Sequence, residues 1–166
     1  MSETVEVSTA RPEEHATLGD IVVAAYRSVG TTMDDEYAAH VADVAGRAEA
    51  PGVVVLAARV NGRPVGCATV VLEGGEYAEG DFGADFAVLR MFGVDTRWRG
   101  RGAGRALVTA AIELARSRGR TGMALYSQPV MRAAHRLYES VGFVRVPEHD
   151  WQVASELILL AYALRF

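Results

Sequence analysis

The chain has 166 residues, half of them apolar and 23% charged, which predicts one compact domain over residues 1–166 and excludes global disorder. Leu157–Leu164 is the longest unbroken apolar run, far short of the roughly 20 residues a bilayer crossing needs. The opening Met1-Ser2-Glu3-Thr4-Val5-Glu6 has no basic segment and no apolar core of a signal peptide, so a cytoplasmic protein without a membrane span is expected. Cys67 stands alone and the four histidines are scattered, which leaves no internal disulfide and no zinc spacing. All 17 basic residues are arginine, and they are unevenly placed: residues 1–87 hold 15 acids and 5 arginines, residues 88–166 hold 6 acids and 12 arginines. An acidic half beside a basic half in one domain suggests two ligands of opposite sign, or an uneven solvated surface.

Val5 and Val7 alternate with polar residues as a short strand, and Pro12-Glu13-Glu14 opens a helix to about Ser28. Thr32 and Asp35 have capping-box spacing for a second helix, Met33–Ala50, stopped by Pro51-Gly52. Val53–Val60 and Pro64–Leu72 are β-branched runs around Asn61-Gly62-Arg63, the signature of an antiparallel hairpin. Glu73 to Ala84, glycine-rich and acidic, reads as a long functional loop. Asp85–Val94 is a strand; Gly102–Arg118 carries the helical stripe Ala106, Leu107, Ala110, Ala111, Leu114 and is closed by Gly119. A strand at Gly122–Ser127, a helix at Met131–Val141, a strand at Phe143–Val146 and a final strand at Leu157–Leu164 complete the order β-α-α-β-β-β-α-β-α-β-β. That order describes an α/β domain (α+β in some schemes) with a mixed, mostly antiparallel sheet flanked by helices.

Between strand and helix lies Val94-Asp95-Thr96-Arg97-Trp98-Arg99-Gly100-Arg101-Gly102-Ala103-Gly104-Arg105. Glycines there let successive backbone N–H groups converge on an anion at the positive end of a helix, and the natural guest is a pyrophosphate. The segment lacks the Gly-Lys-Ser/Thr of a nucleoside-triphosphate loop, and no βαβ unit precedes it, which argues against a dinucleotide site.

Arg99-Gly100-Arg101-Gly102-Ala103-Gly104 resembles the Arg/Gln-x-x-Gly-x-Gly/Ala signature of the GNAT superfamily of N-acetyltransferases. Leu89–Val94 resembles the strand before that signature, and Ala134-His135-Arg136-Leu137-Tyr138-Glu139-Ser140-Val141-Gly142-Phe143 its later Ala-x-x-Leu-Tyr-Glu-x-x-Gly-Phe motif. The likeness covers about residues 53–145 well and the first 50 only by element order. It implies acetyl-CoA held in a splay between two parallel strands. The pyrophosphate would meet the backbone from Arg99 through Gly100, Arg101, Gly102, Ala103 and Gly104 to Arg105, and the pantetheine arm would pair with Phe92, Gly93 and Val94. Ala134 and Tyr138 would border the coenzyme from the later helix, with Tyr138 acting on the leaving thiolate. One or two of Arg97, Arg99, Arg101 and Arg105 would add phosphate contacts.

Two positions depart from the superfamily pattern. Met131 stands where many relatives have asparagine, which costs a polar contact to pantetheine that Ser127 would replace. Val88 stands where some relatives carry a catalytic glutamate. An amine must lose a proton before attacking a thioester, and Asp85, Asp81, Glu76 and Glu73 are the candidate bases, with Asp85 and Glu73 preferred. These acids, with Asp34, Asp35 and Glu36, would attract a cationic acceptor, and Tyr26, Tyr37 and Tyr77 are candidates to line its pocket, although Tyr26 falls on an apolar helical face that favours the core; whether His149 and Trp151 border it is open at this point. The expected activity is acetyl transfer from acetyl-CoA to a primary amine, on a small molecule or a peptide N-terminus, with no metal. A catalytically silent acyl-CoA sensor or partner-binding domain is the alternative. Overall negative charge and a single aromatic at Trp98 argue against nucleic acid as a partner. A homodimer is open, with Leu157–Leu164 as an interface strand.

Overall fold

The computed structural model describes residues 3–74, 77, 78, 80 and 82–166; Glu76 and Asp81, two of the candidate bases, lie outside the described residues. The strands are β1 (Val5–Thr9), β2 (Val53–Val60), β3 (Arg63–Val71), β4 (Phe86–Val94), β5 (Gly122–Ser127), β6 (Val144–Arg145), β7 (Trp151–Ala154) and β8 (Leu157–Arg165). The helices are α1 (His15–Ser28), α2 (Asp35–Ala42), α3 (Val44–Glu49), α4 (Ala103–Ser117) and α5 (Arg132–Ser140). They build one sheet in the order β1-β2-β3-β4-β5-β8-β6, with β7 paired to β8. The pairing of β4 with β5 is parallel and the other pairings are antiparallel, which is the mixed sheet the sequence predicts.

Both faces of the sheet are covered, and this explains why β2 is apolar without interruption. Val55 and Ala57 point into a layer with Leu18, Val22 and Tyr26 of α1, Val41 of α2 and Val44 of α3. Leu56 and Ala58 point the other way, into a layer with Leu107, Val108 and Ala111 of α4 and Tyr138 of α5. The hairpin between β2 and β3 turns at Asn61 and Gly62, whose φ values of 51° and 77° are those a two-residue primed turn requires.

Residues 33–50 form two helices rather than one. Asp34, not Thr32, caps the first, its Oδ1 accepting from the Tyr37 N–H at 2.7 Å. Asp43 leaves helical geometry at ψ 68° and caps α3 by accepting from the Gly46 N–H at 3.0 Å. A side chain at 46 would collide with that carboxylate, since a Cβ there would stand 2.3 Å from Asp43 Oδ2. Asp43→Ala should therefore cost about 1 kcal/mol in urea unfolding, the usual loss for an N-cap; an unchanged midpoint would show that the break has another origin.

The element order also gains β7, whose exposed residues carry no buried stripe for a sequence pattern to reveal. The last strand, β8, pairs with β5 over Leu160–Arg165 and with β6 and β7 over residues 157–163, while Ile158 of its apolar run stays exposed.

Candidate active site

The parallel pairing of β4 and β5 covers only Phe86–Gly122, Ala87–Met123 and Val88–Ala124. Beyond Val88 the two strands diverge. The divergence coincides with a register shift against β3 and with Met91, held at φ 47° in a region that non-glycine residues rarely occupy. The C-terminal half of β4 thus presents backbone to a cleft of about 500 Å³.

Phe92, Gly93 and Val94 form the floor of this cleft. One end is the arginine-glycine turn: Arg99, Gly100, Gly102, Ala103, Gly104 and Arg105. Gly102 caps α4 at φ 89° without a side-chain cap, and the first helical hydrogen bond runs from Ala106 N to Gly102 O at 3.0 Å. The N–H groups of Ala103, Gly104 and Arg105 are therefore the open donors of a helix N-terminus, where an anion is stabilised. Gly104 is required for another reason: a Cβ there would lie 3.1 Å from Leu137 Cδ2 and 3.3 Å from Phe92 Cζ. The opposite wall comes from α1 (Ala25, Tyr26) with Val29 after it, and from Met131, Ala134 and Leu137 of the α5 region. A polar, donor-rich end and a long apolar body fit a nucleotide pyrophosphate joined to a pantetheine arm.

The arginines divide. Arg99 and Arg105 line the cleft, held by Ser28 Oγ at 2.5 Å and Ser140 Oγ at 2.8 Å, respectively. Arg97 is instead exposed and paired with Asp95 through bonds of 3.1 and 2.9 Å. Arg101 lies over Trp98, 4.8 Å from the ring, and 3.6 Å from Glu3, outside the cleft wall. Arg132, at the start of α5, lines the cleft and was missed by sequence; its place at the start of the helix that carries the later motif was the available signal. Tyr26 does double duty, 8% exposed in the α1 layer and on the cleft wall.

A smaller cavity of about 50 Å³ continues the cleft, sharing Tyr26 and Met131 with it. Its other walls include Thr31, Tyr37, Arg90, Tyr126, Ser127 and Gln128. Thr31 Oγ1 is buried there without a hydrogen-bond partner. Gln128 ties the segment after α1 to the β5–α5 turn, its Oε1 accepting from Thr32 N at 2.8 Å and its Nε2 donating to Thr32 O at 2.9 Å. Ser127, expected on pantetheine, lines this smaller cavity instead, with its Oγ 2.9 Å from His135 Nε2.

The expected carboxylate bases are not brought to the cleft. Asp85 precedes β4 at the end where the strands are still paired; it is exposed and accepts from Thr121 Oγ1 at 2.8 Å, a bond that holds its pKa below the usual carboxylate value. Glu73 borders a separate cavity with Gly83, Ala84 and Phe86. Tyr77 lines a third cavity with Gly46 and Glu49. His149 stacks on Phe82 and Trp151 packs edge-on to Tyr126, and neither lines the cleft. Tyr138 lies just behind the cleft wall, 4% exposed and ringed by Phe92, Phe143 and Tyr162 at centroid distances of 6.0, 5.8 and 6.1 Å. Burial raises its pKa well above that of an ordinary phenol, so it stays protonated. Burial also pushes the Cys67 thiol up to about 12, which removes it as a nucleophile.

The site is thus a mixed sheet that opens between two parallel strands onto a helix N-terminus without a side-chain cap. The sequence model of the Acetyltransferase (GNAT) family matches residues 15–143, and the chain belongs to that family. Over 70 residues it is 46% identical to a mycothiol acetyltransferase of Thermobispora bispora, a match covering 42% of this chain and 22% of that protein. The matched segment thus spans about a fifth of the curated relatives' length. Among solved structures, a ribosomal-protein-alanine N-acetyltransferase from Brucella melitensis superposes with a TM-score of 0.74 at 20% identity, covering 97% of this chain and 99% of that one. An acetyltransferase from Salmonella typhimurium, solved with acetyl-CoA, gives 0.70 at 20% identity over 97% and 93% of the two chains.

Proposed function

We propose that the protein transfers the acetyl group of acetyl-CoA directly to a primary amine. The observation that carries this reading is the opening of β4 from β5 onto the unsatisfied N–H groups of Ala103, Gly104 and Arg105. That geometry matches the coenzyme's charge distribution: phosphates at the donor-rich turn, the uncharged arm along Phe92–Val94, and the thioester toward the smaller cavity. Arg99 and Arg105 add positive charge at the phosphate end, and Arg132 adds it elsewhere on the cleft wall. Tyr138, buried and protonated, is suited to hydrogen-bond a leaving thiolate. Full proton transfer is not its task, because a thiol near pKa 8.5 is the stronger acid.

The acceptor would enter through the smaller cavity, among Tyr26, Tyr37 and Tyr126. Within its described walls the formal charge is that of Arg90, which does not favour the cationic acceptor suggested by the acidity of the first half. The similar proteins include a mycothiol acetyltransferase and a ribosomal-protein-alanine N-acetyltransferase, and both a small-molecule and a peptide acceptor stay in the proposal.

One observation favours a catalytically silent acyl-CoA sensor: no carboxylate among the described residues lines either part of the cleft, and Val88 is buried. Isothermal titration with acetyl-CoA, desulfo-CoA and ATP, followed by thiol release with a panel of amino acids, amino sugars, polyamines and peptides, separates the readings. Acetyl-CoA binding with amine-dependent thiol release supports the transferase. Binding without release across the panel supports the sensor, and absence of binding overturns both.

A further inference from the structure

An amine acceptor arrives mainly as an ammonium at neutral pH and has to shed a proton before it can attack. The described walls of the cleft offer no carboxylate to take it. They do offer Ser127, whose hydroxyl is linked at 2.9 Å to Nε2 of His135; the two residues are 4% and 9% exposed. Ser127 lines the cavity proposed for the acceptor, and His135 lies three residues before Tyr138 on α5, on the same helix face. Resting on the transferase reading above, we propose that Ser127 and His135 form a proton relay: the Ser127 hydroxyl meets the acceptor amine and His135 stores its proton.

The relay uses the imidazole tautomer protonated on Nδ1, which leaves the Nε2 lone pair for the serine O–H. An ammonium N–H bond breaks and its proton goes to Ser127 Oγ, while the Oγ proton moves to Nε2, giving imidazolium and a free amine. The amine nitrogen forms the C–N bond to the thioester carbonyl carbon. The C–S bond then breaks, and the proton shed by the adduct nitrogen goes to the thiolate sulfur. The imidazolium gives its proton to solvent at the end of turnover, so amide, thiol and one proton are the products.

The surroundings of His135 suit this task. Glu139 on its own helix and a backbone hydrogen bond to Gln128 favour the charged ring; Arg145 of β6 disfavours it. The Tyr162 phenol of β8 packs against the ring at 5.3 Å, and Arg145 is itself held by Asp150 at 2.7 Å. Burial outweighs these contacts and keeps the imidazole below its ordinary pKa, so the ring is neutral near pH 7 with Nε2 available to accept, and a weaker base than an exposed imidazole.

His135→Gln keeps a hydrogen-bonding group beside Ser127 but cannot titrate; Ser127→Ala removes the link and leaves the histidine; Ser127→Thr keeps the hydroxyl. Each is compared with wild type for kcat as a function of pH, KM for the acceptor, acetyl-CoA affinity by calorimetry, and melting temperature. The expected result is a loss in kcat of about 100-fold in the Gln and Ala variants. The acidic limb of the wild-type pH profile should vanish in His135→Gln, acetyl-CoA affinity should hold within about twofold, and Ser127→Thr should restore much of the rate. Wild-type turnover with an unchanged acidic limb in His135→Gln overturns the relay alone, as does a Ser127→Ala variant with wild-type kcat. Wild type that binds acetyl-CoA yet acetylates nothing overturns the transferase reading and the relay together.

Discussion

Gly104→Leu is expected to abolish acetyl-CoA binding while leaving the protein folded. The glycine lies in the first turn of α4, and its missing side chain faces the cleft: a Cβ would stand 3.1 Å from Leu137 Cδ2 and 3.3 Å from Phe92 Cζ. The three further carbons of leucine add bulk at a position that lines the cleft. Leucine is the better helix former by about 0.5–1 kcal/mol, so part of the local crowding is offset and the melting temperature should change little. A rise in Kd of at least about 100-fold, roughly 2.7 kcal/mol, is expected by calorimetry. Arg97→Ala is the companion control, because Arg97 is spent on Asp95 outside the cleft wall; its affinity should stay close to wild type. A folded Gly104→Leu protein that binds acetyl-CoA normally would move the coenzyme to another surface.

The second large effect lies far from the chemistry. Glu14, in the 3-10 turn Pro12–Glu14 before α1, is buried beside Arg59 of β2, with bonds of 2.6 Å to Nε and 2.5 Å to the terminal nitrogen. The Arg11 N–H adds a third bond at 2.9 Å, and Arg59 also reaches Ser8 Oγ at 2.7 Å and the Thr9 carbonyl at 3.2 Å. One guanidinium therefore joins β1, β2 and the start of α1. Glu14→Gln strands a buried cation, which typically costs about 3–5 kcal/mol, or a fall of about 10 °C in melting temperature for a chain of this size. The pH dependence follows from the direction of the shift. Arg59 holds the Glu14 pKa below its ordinary value, so the stabilisation is complete above the unfolded carboxylate pKa near 4.3 and is lost as pH falls through the lower folded value. Urea midpoints between about pH 6 and pH 3 should show a shallower acid decline in Glu14→Gln than in wild type. In the double variant Glu14→Gln, Arg59→Met much of the loss should be recovered, because no buried charge is left alone. A single-variant cost below about 1 kcal/mol would mean that water reaches the pair and screens it.

How much of this protein was readable without its structure depended on how local the signal was. The hairpin at Asn61-Gly62 was legible because positive φ at two successive positions needs those residue types. The arginine-glycine turn was legible because glycines, arginines and a helix start are contiguous in the chain. The split of residues 33–50 was not, since Asp43 looks like any helix-surface acid until its carboxylate is seen over the Gly46 N–H. Nor was β7, which has no buried side to impose an alternation.

At the site, the strand–turn–helix with its glycines and the elements that carry Tyr138 and Ser127 belong to the sequence, because each rests on spacing within a single element or on one strand–helix junction; that Ser127 lines the smaller cavity and Tyr138 sits behind the wall does not. The rest depends on residues far apart in the chain. The divergence of β4 from β5 decides which end of β4 is open, and so leaves Asp85 and Glu73 away from the cleft despite their nearness in sequence. Packing of α1 across that opening makes Tyr26, a core residue of the α1 layer, part of the wall as well. The approach of α5 to the end of β5 brings His135 to Ser127 across eight positions. A hydrogen bond between two elements has no periodicity to announce it; only the way their packing faces meet determines which side chains share the cleft.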